Sequence, residues 1–152
     1  MSIAIGCDEA GFQFKEVIKN LLLEKGLDVE DFGVYNTDPV LYPDIAVAVA
    51  KSISEGKHER GILICGTGIG MAIAANKVPG IRAAVCHDSF STERSRKSNN
   101  AQIMALGARV IGIELAKLLV DLWLECEFGG GGSEAKVNKI MEYENEFLKS
   151  CR

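Results

Sequence analysis

The chain has 152 residues and a mass of 16.4 kDa, enough for one globular domain, expected to span 1–152, and too little for two typical ones. Charged residues make up 25% and hydrophobic ones 47%, with three prolines, which excludes a disordered chain. A net charge of −4 without a basic cluster argues against nucleic acid as a partner, and the longest apolar-looking stretch, Ile111 to Leu124, carries three charges and is too short to span a membrane.

Ser2 to Cys7 is a short β-like run without the basic-then-apolar pattern of a signal peptide, so a cytoplasmic setting with reduced thiols is expected. Phe12 to Lys25 places Val17, Ile18, Leu21 and Leu22 on one helical face and stops at Gly26. Val29 to Phe32 reads as a second strand, and Gly33 to Tyr42 as a loop broken by Asn36 and Pro39. Pro43 and Asp44 start a helix to Glu55. Gly61 to Ile64 is a third strand, Ile69 to Asn76 a short helix, and Arg82 to Cys86 a fourth strand. A polar helix, Ser89 to Ser98, precedes a fifth strand, Ile103 to Leu106. Glu114 to Cys126 is apolar almost all round, as a helix buried or pressed on another subunit would be. After a break at Gly129 to Gly132, Glu134 to Lys149 forms a last helix, either a packing helix or an arm on a partner subunit. This alternation implies an α/β fold with a parallel sheet and helices on both faces.

In such sheets ligands sit at the carboxyl ends of strands, which here carry Asp8-Glu9, Cys65-Gly66-Thr67 and Cys86-His87-Asp88. Five cysteines, at 7, 65, 86, 126 and 151, form neither a disulfide framework nor a CxxC zinc pair, and each is most simply a small buried hydrophobe. Cys65 is different. It opens Cys65-Gly66-Thr67-Gly68-Ile69-Gly70, a strand-to-helix turn with three glycines. Such a turn gathers backbone N–H groups around one point and adds the positive end of a helix, so it can hold a phosphate or the negative charge of an enediolate. It lacks the lysine of a Walker loop and the spacing of a dinucleotide fingerprint. A thiol there is activated as a base or a nucleophile. The plainer alternative is a tight turn with a buried cysteine. Asp8 is either a catalytic carboxylate or a helix cap, and His87-Asp88 either a site pair or a loop histidine beside a capping aspartate. Asn99-Asn100 either bind hydroxyls or end a helix, and Arg109 is an anion ligand or a surface charge. A Cys65–His87 hydrolase pair is a further arrangement.

Gly6-Cys7-Asp8-x-Ala10-Gly11, Tyr42-Pro43-Asp44, Cys65-Gly66-Thr67-Gly68-Ile69-Gly70, Ala74-Ala75-Asn76-Lys77 and Gly80-Ile81-Arg82-Ala83-Ala84 occur in order between residues 6 and 84, within a likeness that covers nearly the whole chain. Together they resemble the ribose-5-phosphate isomerase B (RpiB/LacAB) family of sugar-phosphate isomerases. The resemblance implies a Rossmann-like three-layer sandwich with a five-stranded parallel sheet. It also implies a homodimer or tetramer with its sites at the subunit interface, the C-terminal helix packing on a partner. The implied reaction is an aldose–ketose isomerisation through a cis-enediolate, without metal or other cofactor. Cys65 would move the proton between C1 and C2, while Thr67 and the amides of Gly66, Gly68 and Gly70 steady the enediolate. Asp8 and Tyr42 would hold sugar hydroxyls, Asn99 would reach in from the partner, and Arg109 would contact phosphate.

Departures from the family pattern gather at one end of the implied substrate. Glu9 stands where a histidine is usual, and a carboxylate repels a phosphate by about 1–4 kcal/mol at ~4 Å. Ser98 replaces the histidine implied in ring opening, within Ser95-Arg96-Lys97-Ser98-Asn99. Gly132 replaces a phosphate-binding arginine within Gly130-Gly131-Gly132-Ser133, and Lys136 replaces another, keeping charge without the bidentate fork. The expected substrate is therefore a small sugar phosphate other than ribose 5-phosphate, such as a tetrulose phosphate, with ribose 5-phosphate itself and non-catalytic binding as the alternatives.

Overall fold

A computed structural model describes residues 1–150; Cys151 and Arg152, the end of the expected domain span, lie outside the described residues. In chain order the elements are β1 (Ser2–Cys7), α1 (Phe12–Glu24), β2 (Asp28–Asp31), α2 (Tyr42–Ser54), β3 (Arg60–Cys65), α3 (Ile69–Ala75), β4 (Ala83–Val85), α4 (Ser89–Lys97), β5 (Ile103–Gly107), α5 (Ile113–Glu125) and α6 (Glu134–Ser150). The five strands form one parallel sheet in the order β2-β1-β3-β5-β4.

Period-two alternation in the three central strands builds two cores. Ile3, Ile5, Ile62, Ile64, Met104 and Leu106 face one side and pack with Ile18 and Leu22 of α1 and with Leu119, Val120 and Trp123 of α5. Ala4, Leu63, Cys65, Ile103 and Ala105 face the other, against Ala46, Val49 and Ala50 of α2 and Met71, Ala72 and Ala75 of α3. Each fully buried Ile or Leu contributes roughly 1.5–3 kcal/mol by leaving water. The result is the expected Rossmann-like α/β sandwich.

The expected boundaries shift where side chains intervene. β2 starts one residue earlier than the pattern indicated, because Asp28 pairs with Ser2. β4 is shorter than Arg82 to Cys86. It lies at the sheet edge, where the Asn76 side chain donates to the Ala83 carbonyl at 2.9 Å and accepts its N–H at 2.8 Å, covering that edge. Lys15 is fully buried on α1. Its Nζ donates to both carboxylate oxygens of Asp31 and to the Val34 carbonyl, each at 2.7 Å, so its buried charge is paired. Burial pushes the Asp31 carboxyl up, and the Lys15 and Lys19 hydrogen bonds more than offset it, holding the group below 3.8. That stabilisation is present above the unfolded value and is lost as pH falls through the lower folded one.

Helix α5 is one-sided, with Leu115 and Leu118 in solvent. Helix α6 buries only Val137 and exposes Ile140, Tyr143, Phe147 and Leu148. Among the described residues no helix is long and apolar enough to cross a membrane.

Candidate active site

From β1 the chain runs outward to β2 on one side and, through β3, to the rest of the sheet on the other. The crevice at the carboxyl ends of β1 and β3 is therefore the switch point where ligands bind in parallel sheets. Asp8 directly follows β1 and Cys65 ends β3, and the Asp8 N–H donates to the Ile64 carbonyl at 3.1 Å.

Cys65 is buried, and its Sγ accepts the N–H of Gly68 at 3.1 Å. Gly68 has φ +77°, a left-handed conformation that lets the turn close over the sulfur at little steric cost. Thr67 is exposed; its Oγ1 accepts the Ile69 N–H at 3.3 Å, leaving the hydroxyl proton for a ligand oxygen. Tyr42, from the first turn of α2, lies on Gly70, where an added Cβ would stand 2.6 Å from the ring. The Arg109 guanidinium lies beside Gly66, 3.5 Å from an added Cβ there. The turn after β5 is tied to the loop by two further bonds: the Ala108 N–H reaches the Cys65 carbonyl at 2.8 Å and the Arg109 N–H the Gly66 carbonyl at 3.0 Å.

Asp8 has the capping role that was one of its two readings: Oδ1 accepts the Gly11 N–H at 3.0 Å and starts a 3-10 turn over Glu9–Gly11. Burial pushes the carboxyl above 3.8, the Gly11 N–H opposes this, and the charge of Glu9 adds to the rise. Glu9 reaches away from Asp8 to accept the Val40 N–H at 3.3 Å, pinning the loop that leads to Tyr42.

His87 and Asp88 do not act as a pair. Asp88 caps α4, accepting the Ser91 N–H at 2.7 Å. His87 Nε2 accepts the Gly107 N–H at 2.8 Å, so this nitrogen is unprotonated and already occupied. A hydrolase pair would need a free imidazole nitrogen at the thiol, and His87 has this one committed elsewhere.

Asp8, Glu9, Tyr42, Cys65, Gly66, Thr67, Gly68, Gly70, His87 and Arg109 thus gather at one end of the sheet. Ser98, Asn99 and Lys136 do not join them within the chain. Ser98 and Asn99 end α4 near the start of β5, and Ile103 to Gly107 alone spans about 13 Å of strand. The Asn99 carbonyl accepts Arg82 Nε at 3.2 Å and lines a cavity of about 500 Å³ between β4, α4 and α6, with Arg82, Arg94 and Ile140. Lys136 is exposed in the first turn of α6. Sequence reasoning missed Gly107, whose signal is a glycine that ends a strand directly opposite a glycine loop; it pairs with Cys65, and an added Cβ would stand 2.8 Å from the Thr67 backbone. Among the described residues no group of three or more His, Cys, Asp or Glu side chains is placed to hold a metal ion.

A parallel sheet carries at its switch point a buried thiol that accepts the Gly68 N–H, and similarity to known proteins gives the class: a sugar-phosphate isomerase. The sequence profile of the ribose/galactose isomerase family matches residues 3–140, and the chain belongs to this family. It is 57% identical to a D-erythrulose-4-phosphate isomerase of Pectobacterium atrosepticum over 96% of this chain and 97% of that one. It is 53% identical to a ribose-5-P isomerase B of Listeria innocua over 96% and 99% of the two chains. Among solved structures, ribose-5-phosphate isomerase B of Clostridium thermocellum superposes with a TM-score of 0.95 at 48% identity, covering 97% of this chain and 99% of that one.

Proposed function

We propose that the protein interconverts a four-carbon ketose phosphate and its aldose, D-erythrulose 4-phosphate and the corresponding tetrose 4-phosphate. Cys65, as the thiolate, takes a proton from C1 of the ketose. The electron pair moves onto the C2 oxygen and forms a cis-enediolate, which the Thr67 hydroxyl and the free amides of the loop stabilise. The proton returns at C2 while a hydroxyl proton passes from O1 to O2, so no atom is gained or lost. Asp8 and Tyr42 hold substrate hydroxyls, and Arg109 and Lys136 hold the phosphate.

One observation carries the choice of substrate: Ser98 stands where the resemblance implies a ring-opening histidine, and neither histidine of the chain offers an unengaged Nε2. His87 Nε2 is bonded to Gly107, and buried His58 lies 3.1 Å from Glu30, while Ser98 does not titrate near neutrality. A tetrulose 4-phosphate has its C4 hydroxyl esterified and forms no furanose, so it needs no ring-opening acid. The 57% identity to a D-erythrulose-4-phosphate isomerase supports the same reading.

The working unit of this proposal is a homodimer, in which Ser98, Asn99 and Lys136 of one copy complete the site around Cys65 of the other. The exposed Ile140, Tyr143 and Phe147, at helical spacing on α6, support a second copy as their cover. A cytoplasmic setting fits the buried, unpaired Cys7, Cys65, Cys86 and Cys126.

Proton NMR in heavy water tests the proposal with four- to six-carbon sugar phosphates and the unphosphorylated sugars. D-erythrulose 4-phosphate is expected to isomerise with deuterium entering at C1 and C2. Cys65→Ala is expected to lose about 10²–10⁴-fold in rate, the contribution of one positioned acid–base group. Faster turnover of ribose 5-phosphate would overturn the substrate, and full exchange by Cys65→Ala would overturn the base.

A further inference from the structure

We infer that His87 is a positioning residue of the isomerase: its neutral Nε2, by accepting the Gly107 N–H, fixes the turn that in turn fixes the Cys65 loop. The chain of contacts is continuous. His87 lies just beyond β4 and receives the Gly107 N–H at 2.8 Å. Gly107 stands opposite Cys65 in the sheet and is packed so closely on Thr67 that a Cβ would meet its backbone at 2.8 Å. The next two residues, Ala108 and Arg109, donate their N–H groups to the carbonyls of Cys65 and Gly66. A Cβ on Gly68 would lie 3.0 Å from the Leu106 carbonyl carbon, so the loop has little space to adjust independently. Release of the Gly107 N–H therefore moves the thiol, the amides aimed at the developing oxyanion and the Arg109 guanidinium together. The role is indirect, since it acts through the turn.

The anchor needs a neutral ring, because an imidazolium has no lone pair to accept with. Burial lowers the His87 pKa below 6.5, and the Asp88 carboxylate beside it opposes this. The other charge on the segments packed around it is Arg109, on the turn that it holds; β5 and the first turn of α4 carry none, and the Cys65 loop carries only its thiol. The anchor is thus in place at neutral pH and fails only as pH falls through the lowered pKa of the folded state.

The inference rests on the reading of Cys65 and its loop as the catalytic centre, and the test separates the two. His87→Ala and His87→Gln are compared with the unaltered enzyme for kcat, KM, the pH dependence of kcat and the hydrogen-exchange rate of the Gly107 amide. Glutamine places a non-titrating carbonyl about where Nε2 stands. His87→Ala is expected to lower kcat by about 10- to 100-fold, as sub-ångström to ångström misplacement of a reacting group does, with a smaller change in KM. Its Gly107 amide is expected to exchange faster. His87→Gln should restore most of kcat and the Gly107 protection, and should lose the acid limb that protonation of His87 gives the unaltered enzyme. Normal kcat in His87→Ala, or a glutamine variant as impaired as the alanine one, overturns the inference. Gly107 exchange is also read in Cys65→Ala, so a failed assignment of the base leaves the anchor independently judged.

Discussion

The loop that carries Cys65 and the segments that carry Ser98, Asn99 and Lys136 are held in contrasting ways. Around Cys65, short backbone bonds and cramped glycines leave little room: Gly68 closes on the sulfur, Gly70 on the Tyr42 ring and Gly107 on Thr67. The other segments are the end of α4, a glycine run with no neighbour near three of its four glycines, and a helix that buries one side chain. The difference teaches where such an enzyme can change. Enediolate chemistry needs donors fixed to fractions of an ångström, and that geometry is spread over four strand ends. In the proposed site, recognition of the far end of the substrate falls to a few side chains on loosely packed elements, whose exchange would leave the proton transfer undisturbed. Glu9, Ser98, Gly132 and Lys136, the positions that the sequence reading sets apart from the family it resembles, all lie outside the Cys65 loop.

The sharpest attempt to break this contrast places a methyl group at two positions of the tight region. In Gly107→Ala the new Cβ meets Thr67 backbone at 2.8 Å, and backbone cannot swing away. We expect a loss of about 1–3 kcal/mol in urea unfolding, the range for overpacking a close contact, with kcat falling more than tenfold. In Gly70→Ala the new Cβ meets the Tyr42 ring, which is partly exposed and can rotate outward. There KM should rise with little loss of stability. Equal stability losses in the two variants would show that the Cys65 loop adjusts more freely than its contacts imply.

Much of the tight region was legible in the sequence because its chemistry and its backbone demand the same residues. Three glycines after a cysteine at a strand end mark a turn and, on the proposed function, an oxyanion site, and alternation in Ile62 to Cys65 and Ile103 to Leu106 marks the strands that support it. The order of those strands was not legible, since nothing local tells β5 to enter between β3 and β4. Nor was Lys15, which reads as a solvated helix residue and is fully buried, because its partners Asp31 and Val34 are 16 and 19 residues away. His87 was legible as a residue near the site. Its acceptor role was not, because the partner is a backbone N–H of another strand. Ser98 and Lys136 were legible only through resemblance, Asn99 also as one of an asparagine pair that binds hydroxyls or ends a helix, and within one chain all three stand apart from the thiol.

A smaller effect is expected at the loose end. Lys136→Ala removes one exposed cation, and KM for D-erythrulose 4-phosphate should rise about three- to tenfold with kcat unchanged, the rise shrinking as salt screens the charge. A fall in kcat instead would place Lys136 in the chemistry and blur the division between the two regions.

The smallest effect tests what holds the loose end at all. Arg60 and Arg96 are both buried and both reach Glu127, at 2.5 and 3.6 Å. Arg60 also bonds the carbonyls of Trp123, Leu124 and Cys126 at the end of α5, and Arg96 bonds that of Ala101 after α4. Two residues beyond Glu127, the Gly129 N–H meets the Lys97 carbonyl at 3.1 Å, next to Ser98. Glu127 therefore clamps the approach to α6 onto the end of α4. Its own side chain is 72% exposed, so water can replace much of what it gives the two guanidiniums. Glu127→Gln should cost about 1 kcal/mol, a melting shift of about 2–4 °C for a chain of this size, and should change KM by less than about twofold. A rise in KM as large as that of Lys136→Ala would mean that the far end of the substrate is gripped by a clamp as exacting as the Cys65 loop. The freedom to change substrate would then lie in single side chains rather than in a loosely held segment.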